Sequence, residues 1–284
     1  MSIPFITCHL NGGLGNQLFQ IFITLHNALK FRKQIVFMNS SFSGRNRYTY
    51  WTSLLDKMLD KYILSFNYSS FKTVIREKSF EYRCLDSEFL SISNSENILL
   101  DGYFQSPKYF QDSYSVIYDF LGIAEKRSIV REKIDIDFSH CVSLHFRLGD
   151  YKHLQTRHPV LKIEYYLSAL QHISLLDPTI KYVLYCCEQQ DITDVKEKIS
   201  ILQNKFPQFI FTRISNDLAD WEQMLAMSCC KHHIIANSTF SWWAAYLNTS
   251  TCNKIVCYPS TWFGPDLKHY NTTDLFPLEW TKIV

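Results

Sequence analysis

At 284 residues, with 46% hydrophobic, 15% aromatic and 20% charged positions, the chain has the composition of a folded protein and makes no compositional case for disorder. Length alone makes two domains the natural prior. Lys and Arg exceed Asp and Glu by 29 − 27 = 2, and the longest basic cluster is Arg45-Asn46-Arg47, so neither a broad field nor a basic stripe is present to hold nucleic acid.

Nine cysteines form no C-x-x-C pair, and several lie in apolar runs, including Cys186, Cys187 and Cys257. They read as reduced, structural thiols in a cytosolic-type redox environment. Residues 1–10 lack a basic segment ahead of an apolar one, and no window reaches the roughly 18 apolar residues of a membrane span. The expectation is a cytoplasmic protein, soluble or peripherally membrane-associated. The sequons at Asn39, Asn67, Asn237, Asn248 and Asn271 are then no evidence of glycosylation.

The first half opens with a strand over residues 4–10, a glycine loop, a helix over 16–31 and a strand over 34–38. Residues 39–47 read as a polar loop, 51–62 as a helix, and 98–102 as a strand leading into a helix after Pro107. Segment 131–140 is charged and aperiodic, which divides the chain into residues 1–138 and 139–284. The second half alternates short apolar strands (141–146, 180–187, 209–214, 233–237, 254–258) with helices (162–176, 191–206, 217–231, 238–247). That alternation predicts an α/β domain with a parallel sheet covered by helices. Leu218, Trp221, Met224 and Leu225 fall at helical spacing and read as core.

Three polar constellations follow predicted strands, where open α/β sheets place their ligands. The first, Asn11-Gly12-Gly13-Leu14-Gly15-Asn16-Gln17, joins glycines that let a ligand approach the backbone to a helix start that attracts anions. It lacks the P-loop lysine and is equally a tight turn. The second is His145-Phe146-Arg147-Leu148-Gly149-Asp150-Tyr151, where Arg147 can fork two hydrogen bonds onto a diphosphate with its charge fixed at every relevant pH. The third, Asn237-Ser238-Thr239-Phe240-Ser241-Trp242-Trp243, offers hydroxyls and a helix start to phosphate oxygens, and equally a plain N-cap at Ser238. Trp242 and Trp243 read as packing.

These residues resemble the α-1,2-fucosyltransferases, glycosyltransferase family 11. The segment Gly12-Gly-Leu-Gly-Asn-Gln-Leu-Phe-Gln20 is similar to the family's N-terminal signature, Gly102-Tyr-Phe-Gln-Ser-Pro-Lys-Tyr-Phe110 to its middle one and His145 to Tyr151 to its donor-site one. Asn237 to Trp243 and the pair Trp262-Phe263 complete the set in order. The resemblance implies a GT-B type fold, two Rossmann-like domains facing across a cleft, with an N-terminal acceptor-side domain and a C-terminal domain holding GDP-fucose. It implies transfer of L-fucose to a galactose hydroxyl of a glycan acceptor with inversion, no metal and no cofactor beyond the donor substrate. It places the donor on Gly13, Gly15, Asn16, His145, Arg147, Asn237, Ser238, Thr239 and Ser241.

Two departures stand out. Leu148 replaces the second of two successive family arginines, leaving Arg147 alone unless Lys152 or Arg157 compensates. Cys186-Cys187-Glu188-Gln189-Gln190-Asp191 replaces a Ser-Asp-Asp type strand end. Asp150 is the leading base for the acceptor proton, ahead of His153 and His158; its alternative role is to order its own turn or to orient Arg147 or His145. Asp135-Ile136-Asp137 precedes a strand, where a manganese-binding D-x-D would follow one, and is not read as a metal site. Segments 40–50 and 67–82 are expected to meet the acceptor, and a free sheet edge in either domain would support a homo-oligomer. Competing readings are another linkage, another nucleotide sugar, or a glycan-binding module on a decayed transferase fold; the retained polar groups argue against decay.

Overall fold

A computed structural model of the chain describes residues 4–44, 47–93, 96–250 and 253–284; Arg45 and Asn46 of the basic cluster, Cys252 and the first three residues lie outside the described residues. The chain divides into two compact units, Met1–Ala124 with Tyr270–Pro277, and Glu125–His269 with Leu278–Val284.

Unit 1 is built on parallel strands β1 (Phe5–Cys8), β2 (Gln34–Ile35), β3 (Thr73–Arg76) and β4 (Ile98–Asp101), in the order β2-β1-β4-β3. Helix α1 (Leu14–Phe31) connects β1 to β2, and its buried Leu14, Leu18, Ile21, Phe22 and Leu25 give it an apolar face. The expected strand over 34–38 is split: Gln34–Ile35 joins β1, while Phe37–Met38 pairs with Ile63–Leu64 in a separate ribbon. The expected helix over 51–62 is mostly turns, with a 3₁₀ turn at Asp56–Met58 and one α turn at Leu59–Tyr62. Its helical spacing was real, since Trp51, Leu54, Leu55 and Met58 are all buried, but tertiary burial holds them in a succession of turns. Further along comes α2 (Tyr114–Phe120).

Unit 2 starts within α3 (Ile123–Glu132), ahead of the boundary expected near residue 138. Arg127 accounts for this, donating from Nε to Ser228 Oγ at 2.9 Å and from Nη2 to Ser228 O at 2.8 Å, so that α3 is tied to the second unit's own helix α6 (Asp220–Cys229). The sheet comprises β5 (Cys141–His145), β6 (Tyr182–Cys186), β7 (Ile210–Arg213), β8 (His232–Ile234), β9 (Val256–Pro259) and β10 (Thr281–Ile283). All are parallel, in the order β7-β6-β5-β8-β9-β10. The remaining helices are α4 (Ile163–Leu176), α5 (Ile192–Lys205) and α7 (Thr239–Tyr246). Strand β10 has no counterpart among the expected elements.

Strand β5 is buried along its whole length, as expected of a central parallel strand. Its polar Ser143 is satisfied inside the core: Ser143 Oγ lies 2.8 Å from His233 Nδ1, and Asn248 Nδ2 lies 2.9 Å from His233 Nε2. An amide nitrogen can only donate, so Nε2 accepts and the ring proton sits on Nδ1. Trp242 and Trp243 are fully buried, as the sequence predicts. Among the described residues no helix is long and apolar enough to cross a membrane, and the eight described cysteines are free thiols.

Candidate active site

Each sheet reverses its winding once. In unit 1 the chain passes from β1 to β2 on one side and returns through β3 to β4 on the other, so the switch lies between β1 and β4. In unit 2 the order places it between β5 and β8. Loops leaving the carboxyl ends of strands at such a point diverge and leave a crevice for a ligand. All three constellations leave these strands: the glycine loop follows β1, residues 145–151 follow β5, and residues 237–243 follow β8. The Gly102 motif follows β4.

In unit 2, the Arg147 side chain is 19% exposed and already engaged. Nη2 donates to Asp150 Oδ1 at 2.5 Å, Nη1 donates to Glu188 Oε1, and the guanidinium carbon stands 4.9 Å from the Tyr151 ring centroid. Five N–H groups on a guanidinium less the two used leave donors for a further anion. Asp150 therefore sits beside Arg147. Glu188, carried past the end of β6, is a contact that the sequence reading left without a role.

The loop is braced from below. Buried Asp191 accepts from the Gly149 amide at 2.7 Å and pairs through Oδ1 with Lys152 Nζ at 2.7 Å, while Lys152 also meets Asp194 at 2.6 Å. Of the two cations named as possible substitutes for a second arginine, Lys152 is thus paired with two carboxylates at the start of α5, and Arg157 is exposed. Leu148 is 4% exposed and packs in the core cluster of Phe146, Leu161 and Tyr166. The position read as a missing cation is here a core position.

His145 is buried with Nδ1 unpartnered, and burial, reinforced by the charge of Arg147, pushes its pKa down to about 3, so the ring is neutral. The Asn237 side chain is also buried; Nδ2 donates to Pro159 O at 2.9 Å and Trp262 O at 3.2 Å, which leaves Oδ1 unpartnered. Ser238 caps α7, its Oγ accepting from the Phe240 amide at 3.4 Å, and Thr239 opens the helix half-buried. Ser241 is buried, and its Oγ accepts from the Ala236 amide at 3.1 Å, which closes the turn ahead of α7. His158 stacks on Tyr151, ring centroids 5.0 Å apart, and exposed His153 ends the 3₁₀ turn of that loop.

In unit 1, Gly12 takes φ +85°, which favours glycine, and a side chain there would strike Asn16. Gly13 caps α1 without a side-chain bond, and a Cβ added to it would meet nothing within 4 Å. No acidic residue occupies the first turn of α1, so its amide end keeps its anion-attracting character. The helix begins at Leu14, which puts buried Gly15 inside the first turn. Asn16 is half-buried and accepts through Oδ1 from Gln105 Nε2 at 3.1 Å.

Two buried glutamines of the same signature shape this loop. Gln17 Nε2 lies 3.0 Å from Gly12 O, 2.9 Å from Ser43 Oγ and 2.7 Å from Tyr48 O. Gln20 accepts from the Asn11 amide at 2.9 Å and donates to Gly102 O at 2.9 Å, joining the loops that leave β1 and β4. Glu77 accepts from the amides of Tyr103 and Phe104 at 2.7 and 2.9 Å and so fixes the Gly102 motif; burial raises its pKa. The Asp137 carboxylate of the D-x-D accepts from Ser139 Oγ at 2.5 Å, lies 2.7 Å from His140 Nδ1 and accepts from Ser139 N at 3.0 Å; these bonds lower its pKa to about 2 and make it a turn cap.

The family described as Glycosyl transferase family 11 matches residues 3–284. The chain is 28% identical to the O-antigen biosynthesis glycosyltransferase WbnK of Escherichia coli, covering 93% of this chain and 97% of that protein. It is 25% identical to a galactoside 2-alpha-L-fucosyltransferase of Caenorhabditis elegans, over 99% of this chain and 79% of that protein. With an alpha-1,2-colitosyltransferase of Escherichia coli it shares 24% identity, over 99% of both. The fold is of the GT-B type: it is similar to that of the E. coli ADP-heptose LPS heptosyltransferase II, with TM-score 0.50 at 11% identity, over 99% of this chain and 90% of that one.

Proposed function

The chain belongs to glycosyl transferase family 11, and we propose that it transfers L-fucose from GDP-fucose to a galactose hydroxyl of a glycan acceptor, forming an α-1,2 linkage with inversion and without a metal. The observation that carries this reading is the placing of Arg147 and the amide end of α7 on neighbouring strands β5 and β8, at the switch point of unit 2. An anionic diphosphate suits that combination of fixed cation and helix start. The unpartnered His145 Nδ1 and Asn237 Oδ1 belong to the same two loops, and buried polar atoms without partners are what a ligand would complete. Gly13, Gly15 and Asn16 belong to the glycine loop and first turn of α1 in unit 1, the acceptor-side unit in this reading, and Gly13 offers open backbone.

The acceptor hydroxyl oxygen attacks the anomeric carbon from the face opposite the nucleotide. The bond from that carbon to the β-phosphate oxygen breaks, and GDP leaves with the electron pair. Arg147 and the start of α7 at Ser238 and Thr239 meet the charge that develops on the phosphate, which is stabilisation aimed at the transition state. Asp150, half exposed on the Arg147 loop, takes the acceptor proton.

The galactoside 2-alpha-L-fucosyltransferase relative supports the fucosyl reading. A second reading keeps the site and changes the sugar, and the alpha-1,2-colitosyltransferase relative favours it. Incubation with a panel of GDP-sugars and galactose-ended acceptors, with the linkage assigned by NMR, separates the two. Product from GDP-fucose linked at the galactose 2-hydroxyl, in excess EDTA as well as without it, supports the proposal. Turnover restricted to another donor, or loss of turnover in EDTA that added metal restores, overturns it.

A further inference from the structure

Resting on the reading of Arg147 as the diphosphate contact, we infer that Glu188 is its positioning residue, and that Gly149 is glycine partly to make room for it. Glu188 follows β6, the strand next to β5, and reaches the β5 loop from the side. Its Oε1 accepts from Arg147 Nη1, while its Oε2 accepts from Gln190 Nε2 at 2.8 Å, so the carboxylate is held at both oxygens. A Cβ placed on Gly149 would stand 2.9 Å from each of those oxygens. A side chain at 149 therefore displaces the carboxylate from the position in which it meets the guanidinium.

The arrangement has a kinetic signature. Asp150 and the Tyr151 ring hold the rest of the guanidinium, so without Glu188 the cation stays on its loop while its fork loses one of its two orienting partners. The donor still meets a positive charge, and one fewer negative charge opposes it. Ground-state affinity is kept or rises, and the oriented contact made in the transition state is lost. Glu188 therefore acts on kcat with little effect on the donor KM.

The test uses the full chain and the variants Glu188→Gln, Glu188→Asp, Gly149→Ala and the double variant Gly149→Ala with Glu188→Gln. Glu188→Gln is expected to lower kcat about tenfold or more with donor KM unchanged or lower, and Glu188→Asp to recover part of the loss. Gly149 has φ +38°, so alanine strains the backbone in either background. The part of its effect on kcat that disappears when Glu188 is already replaced reports the contact. A kcat within twofold of the parent in Glu188→Gln, or a Gly149→Ala effect equal in both backgrounds, overturns the inference. Failure of the parent to turn over any GDP-sugar would sink the functional reading instead. The inference is then decided by arginine-labelled NMR, where exchange of the Arg147 Nη protons faster in Glu188→Gln than in the parent supports it and equal exchange overturns it.

Discussion

The phenol of Tyr151 donates to the carbonyl oxygen of Asn237 at 3.1 Å, which ties the loop leaving β5 to the loop leaving β8. The same ring lies under the Arg147 guanidinium. Tyr151→Phe keeps the ring and removes the tie. The expected outcome is a loss of about 1 kcal/mol in stability, read by urea denaturation, together with a several-fold fall in kcat/KM for the donor.

Arg147→Ala is expected to lower kcat by about 100-fold or more, the order seen when an oriented donor to a developing oxyanion is removed. Arg147→Lys restores the charge but not the planar fork that meets two carboxylates with donors to spare, so it recovers only a minor part. Steady-state kinetics of both variants, with circular dichroism as the folding control, checks this. Activity of Arg147→Ala within a few-fold of the parent would remove the residue from the mechanism.

Asp150 has two tasks open to it, proton acceptor and support for Arg147. If it is the base, Asp150→Asn flattens the acid limb of the kcat/KM profile against pH as well as lowering its height. A profile of unchanged shape at reduced height assigns it to support alone.

Restoring the family's second arginine should do harm. Leu148 is 4% exposed in the core of unit 2, so Leu148→Arg places a charge among Phe146, Leu161 and Tyr166 or forces the loop to open. A stability loss of about 3 kcal/mol or more is expected, with no gain in donor affinity. Thermal melting and GDP titration decide it.

Acid should destabilise the protein from the histidine range downward. Burial holds the His145 pKa near 3 and that of His233 well below its usual 6.5, so both rings are neutral in the native chain. The unfolded chain takes up these protons near 6.5, ahead of the native one; stability is complete above that pH and is lost as pH falls from 6.5 towards 3. Each group contributes a slope of at most about 1.4 kcal/mol per pH unit. Urea midpoints at pH 7, 6, 5 and 4 should fall accordingly, and His145→Gln should reduce the slope.

The sheet of unit 2 was legible because its central parallel strands are predominantly apolar, with only Ser143 polar in residues 141–144, and each is followed by a helix of clear period. Strand β3 was not, because Thr73–Arg76 is half-exposed at a sheet edge and follows Lys72. Strand β10 is three residues long at the edge of the unit 2 sheet, below the length at which pattern separates from chance. At the site, Arg147 and Asp150 could be found because they leave a strand end. Glu188 could not, since its contact spans 41 residues and depends on which strand neighbours β5. Leu148 shows the converse: a motif compares residue types at a position, and only the fold says whether that position faces ligand or core. Gln17 and Gln20 stood in the quoted signature, yet their task as tethers between loops emerges only from the acceptors they reach.

Residues 270–277 rejoin unit 1 after residues 125–269 of unit 2 have been traversed. There Asp274 accepts from the Tyr82 amide at 3.1 Å, its carbonyl accepts from Ser106 Oγ at 2.6 Å, and its carboxylate pairs with Lys108. On a ribosome this segment emerges after every other part of unit 1, so the loop carrying Ser106 and Lys108 waits for its partner until residues 125–269 have been made. The first unit to begin folding stays unfinished until residue 277 has been made, and each nascent chain carries that loop uncovered until then.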